Sequence, residues 1–166
     1  VQLSHPAVHR ALRALAGRGM VQAVRHGPAI ASRLNDDHWL VRTGIHPLFE
    51  ADARFFTAVG EAVRKAAGAP ARSVLLFGSV ALGEASAESD MDLLCLTTSA
   101  EAVDKAEQNL AEAAAALRRR FGKRLAVLVL PAAEFPRRYR RRDRLAREIV
   151  EMGWVIAGDP LSKVLR

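Results

Sequence analysis

The first 46 residues carry one helical and two extended patterns of apolar side chains. Apolar residues recur at intervals of four and three between Ser4 and Gly17, which predicts a helix that begins at the serine and ends at the glycine. Two short apolar segments, 20–24 and 30–34, lie on either side of a turn at 25–28 that contains glycine and proline. They predict a small hairpin with a basic tip.

The rest of the chain alternates helical and strand patterns. Apolar residues at helical spacing from 47 to 67 predict one long helix, followed by a glycine- and proline-containing stop. Beyond it, strands alternate with helical stretches, an arrangement that predicts an α/β domain. The strands are expected at 73–77, 92–96, 124–130 and 154–157, and the helices at 101–120 and 132–152.

The pattern divides the chain into a small domain at 1–46, a connecting helix at 47–69 and an α/β domain at 70–166. Half of the residues are apolar and 26% are charged, a globular composition that excludes wholesale disorder. The single cysteine, Cys95, excludes an internal disulfide and predicts a reducing, cytoplasmic setting. No apolar run approaches the ~18 residues of a membrane helix, so no membrane partner is expected.

Positive charge is concentrated at the two ends of the chain. Of the net charge of +7, residues 1–46 carry +4, residues 47–131 carry −1 and residues 132–166 carry +4. Arginine supplies 21 of the 25 cations, which favours planar, bidentate contacts with phosphate. Anionic partners are therefore expected at both ends.

A Gly-Ser turn and a pair of carboxylates lie at neighbouring strand ends in the α/β domain. Gly78 and Ser79 follow the strand at 73–77, and Asp90 and Asp92 open the next strand after ten further residues. Alternate residues of a strand point to one side, so the two carboxylates project together, and their repulsion favours a divalent cation such as Mg²⁺. The glycine lets a phosphate approach the backbone, and the serine hydroxyl and nearby amides can hold it. These residues predict a site for Mg²⁺ and a triphosphate.

The segment LLFGSVALGEASAESDMDLLCL resembles the minimal members of the nucleotidyltransferase superfamily with the DNA polymerase β-like fold. The segment REIVEMGWVIAGDPLSKVL is similar to the last helix and strand of those domains. The resemblance implies a mixed sheet with flanking helices and a Mg²⁺-dependent transfer of a nucleotidyl group from an NTP to a hydroxyl. It also implies that Asp90 and Asp92 are catalytic metal ligands and that Gly78 and Ser79 bind the nucleotide.

Two positions depart from the pattern of that family. Leu82 stands where minimal members usually carry a basic residue before the glycine, here Gly83. The family also has a third carboxylate on a following strand, which helps to hold the catalytic metal, and Ala126 stands at the expected position. Glu134 is either a replacement for that carboxylate or a solvated side chain at a helix start. Without the third ligand, we expect Mg²⁺–nucleotide binding with weakened transfer activity.

The segment LSHPAVHRALRALAGRGMVQAVRHGPAIASRLN resembles the second half of a winged helix-turn-helix of the MarR/ArsR-like regulator type. The resemblance implies a domain that binds double-stranded DNA through the first helix and a wing at 25–28, with earlier helices before Val1. The predicted DNA contacts are His5, His9, Arg10, Arg13, Arg25 and His26, the first four on the helix face opposite the apolar stripe. The alternative is a solvated helix face. A metal site at the histidines is not expected, because no third ligand lies nearby.

Seven arginines surround Tyr139 near the end of the chain: Arg137, Arg138, Arg140, Arg141, Arg142, Arg144 and Arg147. The cluster fits a grip on the phosphates of a nucleic acid or of a nucleotide, with Tyr139 stacking on a base. It fits equally well a solvated helix face beside Glu148 and Glu151. The sequence leaves both interpretations open.

Three functional hypotheses follow from these features. The first is a DNA-binding transcriptional regulator, a homodimer through the 47–67 helix, whose second domain binds Mg²⁺–nucleotide. The second is an active nucleotidyltransferase that modifies a hydroxyl of a protein, an RNA or a small molecule, including as a toxin–antitoxin component. The third is an antitoxin that neutralises its partner by contact alone.

Overall fold

Helices and strands fall into two units in the computed structural model, which describes residues 4–27, 29–68, 70–86 and 88–165. Residues 1–54 form the first unit and residues 55–166 form the second. None of the helices described has the length and apolar character needed to cross a membrane.

The first unit contains a helix, a hairpin and two further helical segments. Helix α1 (His5–Gly17) precedes the antiparallel strands β1 (Val21–His26) and β2 (Ala29–Leu34). A π-helical turn (Val41–Ile45) then leads into helix α2 (His46–Ala53). The predicted first helix and hairpin are confirmed as elements, with strand ends that differ from the prediction by one or two residues.

The single helix predicted over 47–67 is wrong, because the structure interrupts it at Arg54 and begins a second helix, α3 (Phe55–Ala67). Helix α2 has no buried residue, whereas α3 packs so tightly that a Cβ on Gly60 would lie 2.8 Å from the backbone of Ile156. Packing therefore assigns α3 to the core of the second unit and leaves α2 in the first. The boundary between the units lies inside the predicted connecting segment.

The second unit continues with alternating strands and helices, close to the predicted positions. The predicted helical region 132–152 is two helices, separated by a turn in which Arg142 has a left-handed φ of 59°. The elements are β3 (Ala71–Phe77), α4 (Gly78–Leu82), β4 (Met91–Thr97), α5 (Val103–Phe121), β5 (Leu125–Pro131), α6 (Phe135–Arg140), α7 (Arg144–Met152), β6 (Trp154–Gly158) and α8 (Leu161–Val164).

The four strands of the second unit form one mixed sheet in the order β5-β4-β3-β6. Strands β4 and β5 are parallel, and β3 is antiparallel to both β4 and β6. The mixed sheet with flanking helices is the arrangement implied by the sequence resemblance, and that expectation is confirmed.

Apolar side chains cover both faces of this sheet. Helices α3 and α5 pack on one face, and α6 and α7 pack on the other. Along β4, Leu93 and Cys95 point into the first core, whereas Leu94 and Leu96 point into the second. The same alternation directs Asp92 to the face on which α7 packs.

Candidate active site

The Gly-Ser turn lies directly against one of the two carboxylates. Strand β3 ends at Phe77, which pairs with Asp92 on β4, and Gly78 follows with a left-handed φ of 69°. A Cβ added to Gly78 would lie 2.5 Å from Oδ2 of Asp92. Glycine is therefore required here both by the backbone conformation and by the space that the carboxylate occupies. Ser79, half-buried, follows in the first turn of α4.

Asp90 and Asp92 are both partly buried at the start of β4. The pKa of Asp92 is raised above its usual value, chiefly by burial and then by the negative charges of Asp90 and Glu148. The carboxylate of Asp90 is partly compensated, since its Oδ2 lies 3.5 Å from Nη1 of Arg124. The pair therefore carries uncompensated negative charge that a bound cation would stabilise.

Lys123 holds the loop that leads into these carboxylates. Its Nζ donates hydrogen bonds to the carbonyl oxygens of Ser86 and Ser89, each at 3.1 Å. A polar cavity of about 350 Å³ lies beside Asp90, and its charged lining includes Glu88, Arg118, Lys123 and Arg124. The approach to Asp90 is thus bordered by more cations than acids.

Ala126 lies beside Asp92 on the neighbouring strand. Parallel pairing of β4 and β5 aligns Asp92 with Ala126, so both side chains are on the same face of the sheet. This is the position at which the sequence resemblance calls for a third carboxylate, and a methyl group occupies it. Leu82, the other departure from the family pattern, is 40% exposed at the end of α4.

Glu134 does not replace the missing carboxylate, and that alternative is wrong. It lies beyond the carboxyl end of β5, whereas Asp92 lies near the amino end of the parallel strand β4. The five residue steps from Ala126 to Pro131 alone span about 17 Å of extended strand. Glu134 instead forms an ion pair with Arg138, in which Nε of Arg138 donates a hydrogen bond to Oε1 of Glu134 at 2.6 Å.

Glu148 is the acidic residue that the sequence interpretation missed at this site. Helix α7 packs against β3 and α4, and the charge of half-buried Glu148 acts on Asp92 from that helix. Asp92 and Glu148 are distant in sequence and are brought together only by the packing of α7, so no local spacing reveals them. Within the described residues, no group of three or more His, Cys, Asp or Glu side chains is arranged to hold a metal ion.

The geometry fits a cation shared with a nucleotide better than one enclosed by protein. Mg²⁺ is commonly held by one or two carboxylates together with substrate phosphates and water. Asp90 and Asp92 are two such carboxylates, and the backbone of Gly78 adjoins Asp92. Among the described residues, the donor set therefore suits a cation shared with a nucleotide better than an all-protein metal site.

The residues predicted to contact DNA lie in the first unit and are not all on one face. His5, His9 and Arg13 line a groove with the apolar side chains Val8, Leu12 and Ile30 between α1 and the hairpin. These three side chains therefore border a groove that also contains part of the apolar stripe, and their place opposite the stripe stays a prediction. The rings of His5 and His9 have centroids 5.1 Å apart.

Two of the remaining predicted DNA contacts are exposed, and the side chain of the third lies outside the described residues. Arg10 is exposed on α1, and Arg25 is exposed near the end of β1. The side chain of His26 and the whole of Pro28, at the predicted wing, lie outside the described residues. The predicted DNA contact surface thus stays a prediction.

Comparison with known proteins connects the second unit to one family. A model of the nucleotidyltransferase domain matches residues 60–151, which include the Gly-Ser turn and both aspartates but none of the first unit. No curated protein gives a significant match.

Two solved structures are also similar to the chain. One is the crystal structure of a toxin–antitoxin with AMP-PNP, with 19% identity, a TM-score of 0.37, and coverage of 62% of this chain and 73% of that chain. The other is a rebuilt and re-refined structure of the tri-AMPylated Shewanella oneidensis HEPN toxin in complex with MNT antitoxin. It has 13% identity, a TM-score of 0.38, and coverage of 69% and 77%. Because the domain match spans more than half of its residues, the chain belongs to the nucleotidyltransferase-domain family.

Proposed function

We propose that the chain transfers a nucleotidyl group from a Mg²⁺–NTP to a hydroxyl acceptor at the site formed by Gly78, Asp90 and Asp92. The observation that carries the proposal is the close approach of the Gly78 backbone to the Asp92 carboxylate, since it brings the Gly-Ser turn beside a proposed metal ligand. Family membership supports the same reaction class.

The residues of the chain divide the work as follows. Asp90 and Asp92 would hold Mg²⁺, which when bound neutralises triphosphate charge and orients the α-phosphorus for attack. The Gly78 backbone and the Ser79 hydroxyl would bind phosphate oxygens. Arg124 stays beside Asp90 and limits the repulsion between the two carboxylates. The acceptor hydroxyl loses its proton to water, its oxygen forms a bond to the α-phosphorus, and the bond from the α-phosphorus to pyrophosphate breaks.

Ala126 sets the expected rate of this reaction. A carboxylate beside Asp92 would help to remove the proton from the attacking hydroxyl, and general-base assistance of this kind is worth ~10²–10⁴-fold. Ala126, which pairs with Asp92, offers no such carboxylate, so we expect the chain to bind nucleotide and to transfer slowly. The chain is therefore proposed to be a slow transferase rather than an inert scaffold.

Transfer of label from NTP tests the proposal. The purified chain is incubated with each α-³²P-labelled NTP, Mg²⁺ and an extract of its source cells, and labelled products are separated. Asp92→Asn is expected to abolish labelling, whereas Asp104→Asn, at an exposed acid of α5, should leave it unchanged. Equal labelling by the wild type and Asp92→Asn would contradict the proposal. A labelled protein product would favour a toxin-type acceptor, as in the toxin–antitoxin hypothesis.

Binding of double-stranded DNA by the first unit is the second candidate function. The helix and hairpin that the winged-helix resemblance requires are present, and Arg10 and Arg25 are exposed on them. Arg10→Gln combined with Arg25→Gln should weaken duplex binding, whereas Arg54→Gln combined with Arg119→Gln should not. Equal weakening by the two pairs would contradict specific recognition through α1 and the hairpin.

The second candidate function, DNA binding, includes formation of a homodimer. Helix α2 exposes Leu48 and Phe49 to 67% and 68%, which leaves an apolar surface for a second copy of the chain. Light scattering over a concentration series is expected to give the mass of a dimer that Phe49→Glu reduces to that of a monomer. A monomeric mass for the wild type at all concentrations would contradict dimerisation.

A further inference from the structure

Arg124 is fixed beside the carboxylate pair, immediately before the strand that lacks the third carboxylate. Strands β4 and β5 are paired from Met91 and Leu125 onward. The backbone N–H of Met91 also donates a hydrogen bond to the carbonyl oxygen of Arg124 at 3.0 Å. The backbone of Arg124 is therefore held next to the residue that separates the two aspartates.

The side chain of Arg124 lies on the same face of the sheet as both aspartates. Asp92 pairs with Ala126, and residues two apart on a strand point to the same side. Asp90 and Arg124 each precede this pair by two residues, and Nη1 of Arg124 lies 3.5 Å from Oδ2 of Asp90. The face that carries the proposed metal ligands thus also carries a guanidinium, next to the methyl group of Ala126.

The ion pair of Arg124 with Asp90 is a surface contact. The Arg124 side chain is 71% exposed and that of Asp90 is 39% exposed, so the pair contributes little to folding stability. The neighbouring cation, Lys123, is directed instead to the carbonyl oxygens of Ser86 and Ser89. Replacing Arg124 is therefore expected to leave the fold intact and to change chiefly the charge beside Asp90.

This guanidinium acts in opposite directions on a free metal ion and on a metal–triphosphate complex. A divalent ion alone brings two positive charges to Asp90, so the guanidinium beside that carboxylate repels it. A complex of a divalent ion with a triphosphate has a net negative charge, so the same guanidinium attracts it. The Gly-Ser turn supplies no such cation, because residues 78–83 contain no basic side chain and Leu82 stands at the usual basic position.

We propose that Arg124 is a specificity-determining residue that selects the metal–triphosphate complex over the free metal ion at Asp90 and Asp92. The inference rests on the metal site of the proposed function and adds a requirement to it. The two carboxylates are occupied by a metal that arrives with its nucleotide rather than before it. Arg124 supplies from the β5 side the positive charge that Leu82 does not provide.

Two binding measurements on the full chain test the role of Arg124. Free Mn²⁺ is titrated by the loss of its electron paramagnetic resonance signal, and preformed Mn²⁺–tripolyphosphate, which carries no base, is titrated by calorimetry. Both are measured at low ionic strength, where charge effects are least screened. Arg124→Gln should bind free Mn²⁺ more tightly by about three- to tenfold and the complex more weakly by a similar factor. A merely structural role would weaken both.

Control variants separate the possible outcomes. Arg124→Lys keeps the charge and should retain both affinities. Arg119→Gln removes the same charge from an exposed position on α5 and should change neither. Asp92→Asn should weaken the binding of both probes.

The outcomes distinguish failure of the metal site from failure of the role of Arg124. Binding of neither probe by the wild type, or equal binding of both by Asp92→Asn, would overturn the metal site of the proposed function and this inference with it. If Asp92→Asn does weaken both, any result other than opposite changes in Arg124→Gln would overturn the role of Arg124 alone.

Discussion

Gly78 and Asp92 are mutually constrained, because the space in which a Cβ of residue 78 would lie is occupied by Oδ2 of Asp92 at 2.5 Å. The contact connects the end of β3 to the start of β4 and brings the Gly-Ser backbone to the predicted metal ligands. The proposed nucleotide site depends on this contact more than on any other.

Gly78→Ala is therefore expected to reduce Mg²⁺–nucleotide affinity by at least tenfold, because the new methyl group must displace the Asp92 carboxylate. Strain at a positive φ adds a stability cost of about 1–3 kcal/mol. Gly122→Ala is the matched control, since Gly122 has a φ of 71° and no atom within 4 Å of the added Cβ. Titration calorimetry should show weakened binding only for Gly78→Ala. Equal affinities of the two variants would contradict the role given to this contact.

Ala126→Asp is expected to accelerate transfer by ~10²–10⁴-fold, because it introduces a carboxylate beside Asp92 where a general base is lacking. Ala126→Asn has nearly the same size without the charge and should remain slow. Single-turnover rates with labelled NTP compare the two variants. If asparagine accelerates transfer as much as aspartate, the missing carboxylate is not the reason for slow transfer.

The raised pKa of Asp92 gives the stability of the metal-free protein a defined pH dependence. The folded state favours the protonated carboxyl, so this contribution to the free energy of unfolding is present at low pH and is lost as pH rises through the folded pKa. Asp92→Asn should therefore unfold at a higher temperature than the wild type above that pKa, and the difference should shrink as pH falls. A stabilisation that does not change with pH would contradict this origin.

Glu148→Gln tests the second acidic neighbour of Asp92. Removing the charge of Glu148 should lower the pKa of Asp92, because one of the charges that raises it is lost. Protons compete with metal for the carboxylate, so the pH at which Mn²⁺ binding is half-maximal should move downward. Glu151→Gln, at an exposed position on the same helix, should leave the midpoint in place.

Cys95 is expected to be inert in the folded protein. Burial raises the pKa of its thiol to about 11, and it packs in the core on the face of α3 and α5. A thiol reagent at pH 8 should modify it only at the rate of unfolding. Stoichiometric modification of the folded protein would show that this side chain is accessible.

Local pattern was sufficient for the elements of the sheet and for the carboxylate pair. Strand alternation and the Gly-Ser turn predicted Asp90 and Asp92 at the start of the strand after the turn, where the structure has them, because both features depend on neighbouring residues. Tertiary packing determines which distant acidic residues lie near Asp92, and the local pattern does not show this. Glu148 approaches Asp92 only because α7 packs against the sheet. Glu134 lies far from Asp92 because β4 and β5 are parallel, which puts the two residues at opposite ends of the strands.

The break between α2 and α3 is also a result of tertiary packing. Helical spacing continues across Arg54, but only α3 packs on the sheet, through Gly60 against Ile156. Periodicity measures amphipathic character within one segment and carries no information about which segment a core accepts. The arginines around Tyr139 line two separate cavities, and this division depends on the turn at Arg142, which charge counting does not show.

The most direct test of the nucleotide site is a crystal of the chain soaked with Mn²⁺ and a non-hydrolysable NTP, with anomalous data collected. We expect one strong anomalous peak between Asp90 and Asp92, with triphosphate oxygens on the Gly78 backbone and the Ser79 hydroxyl. A triphosphate bound elsewhere, or no ion at the two carboxylates at saturating Mn²⁺ and nucleotide, would contradict the proposed function.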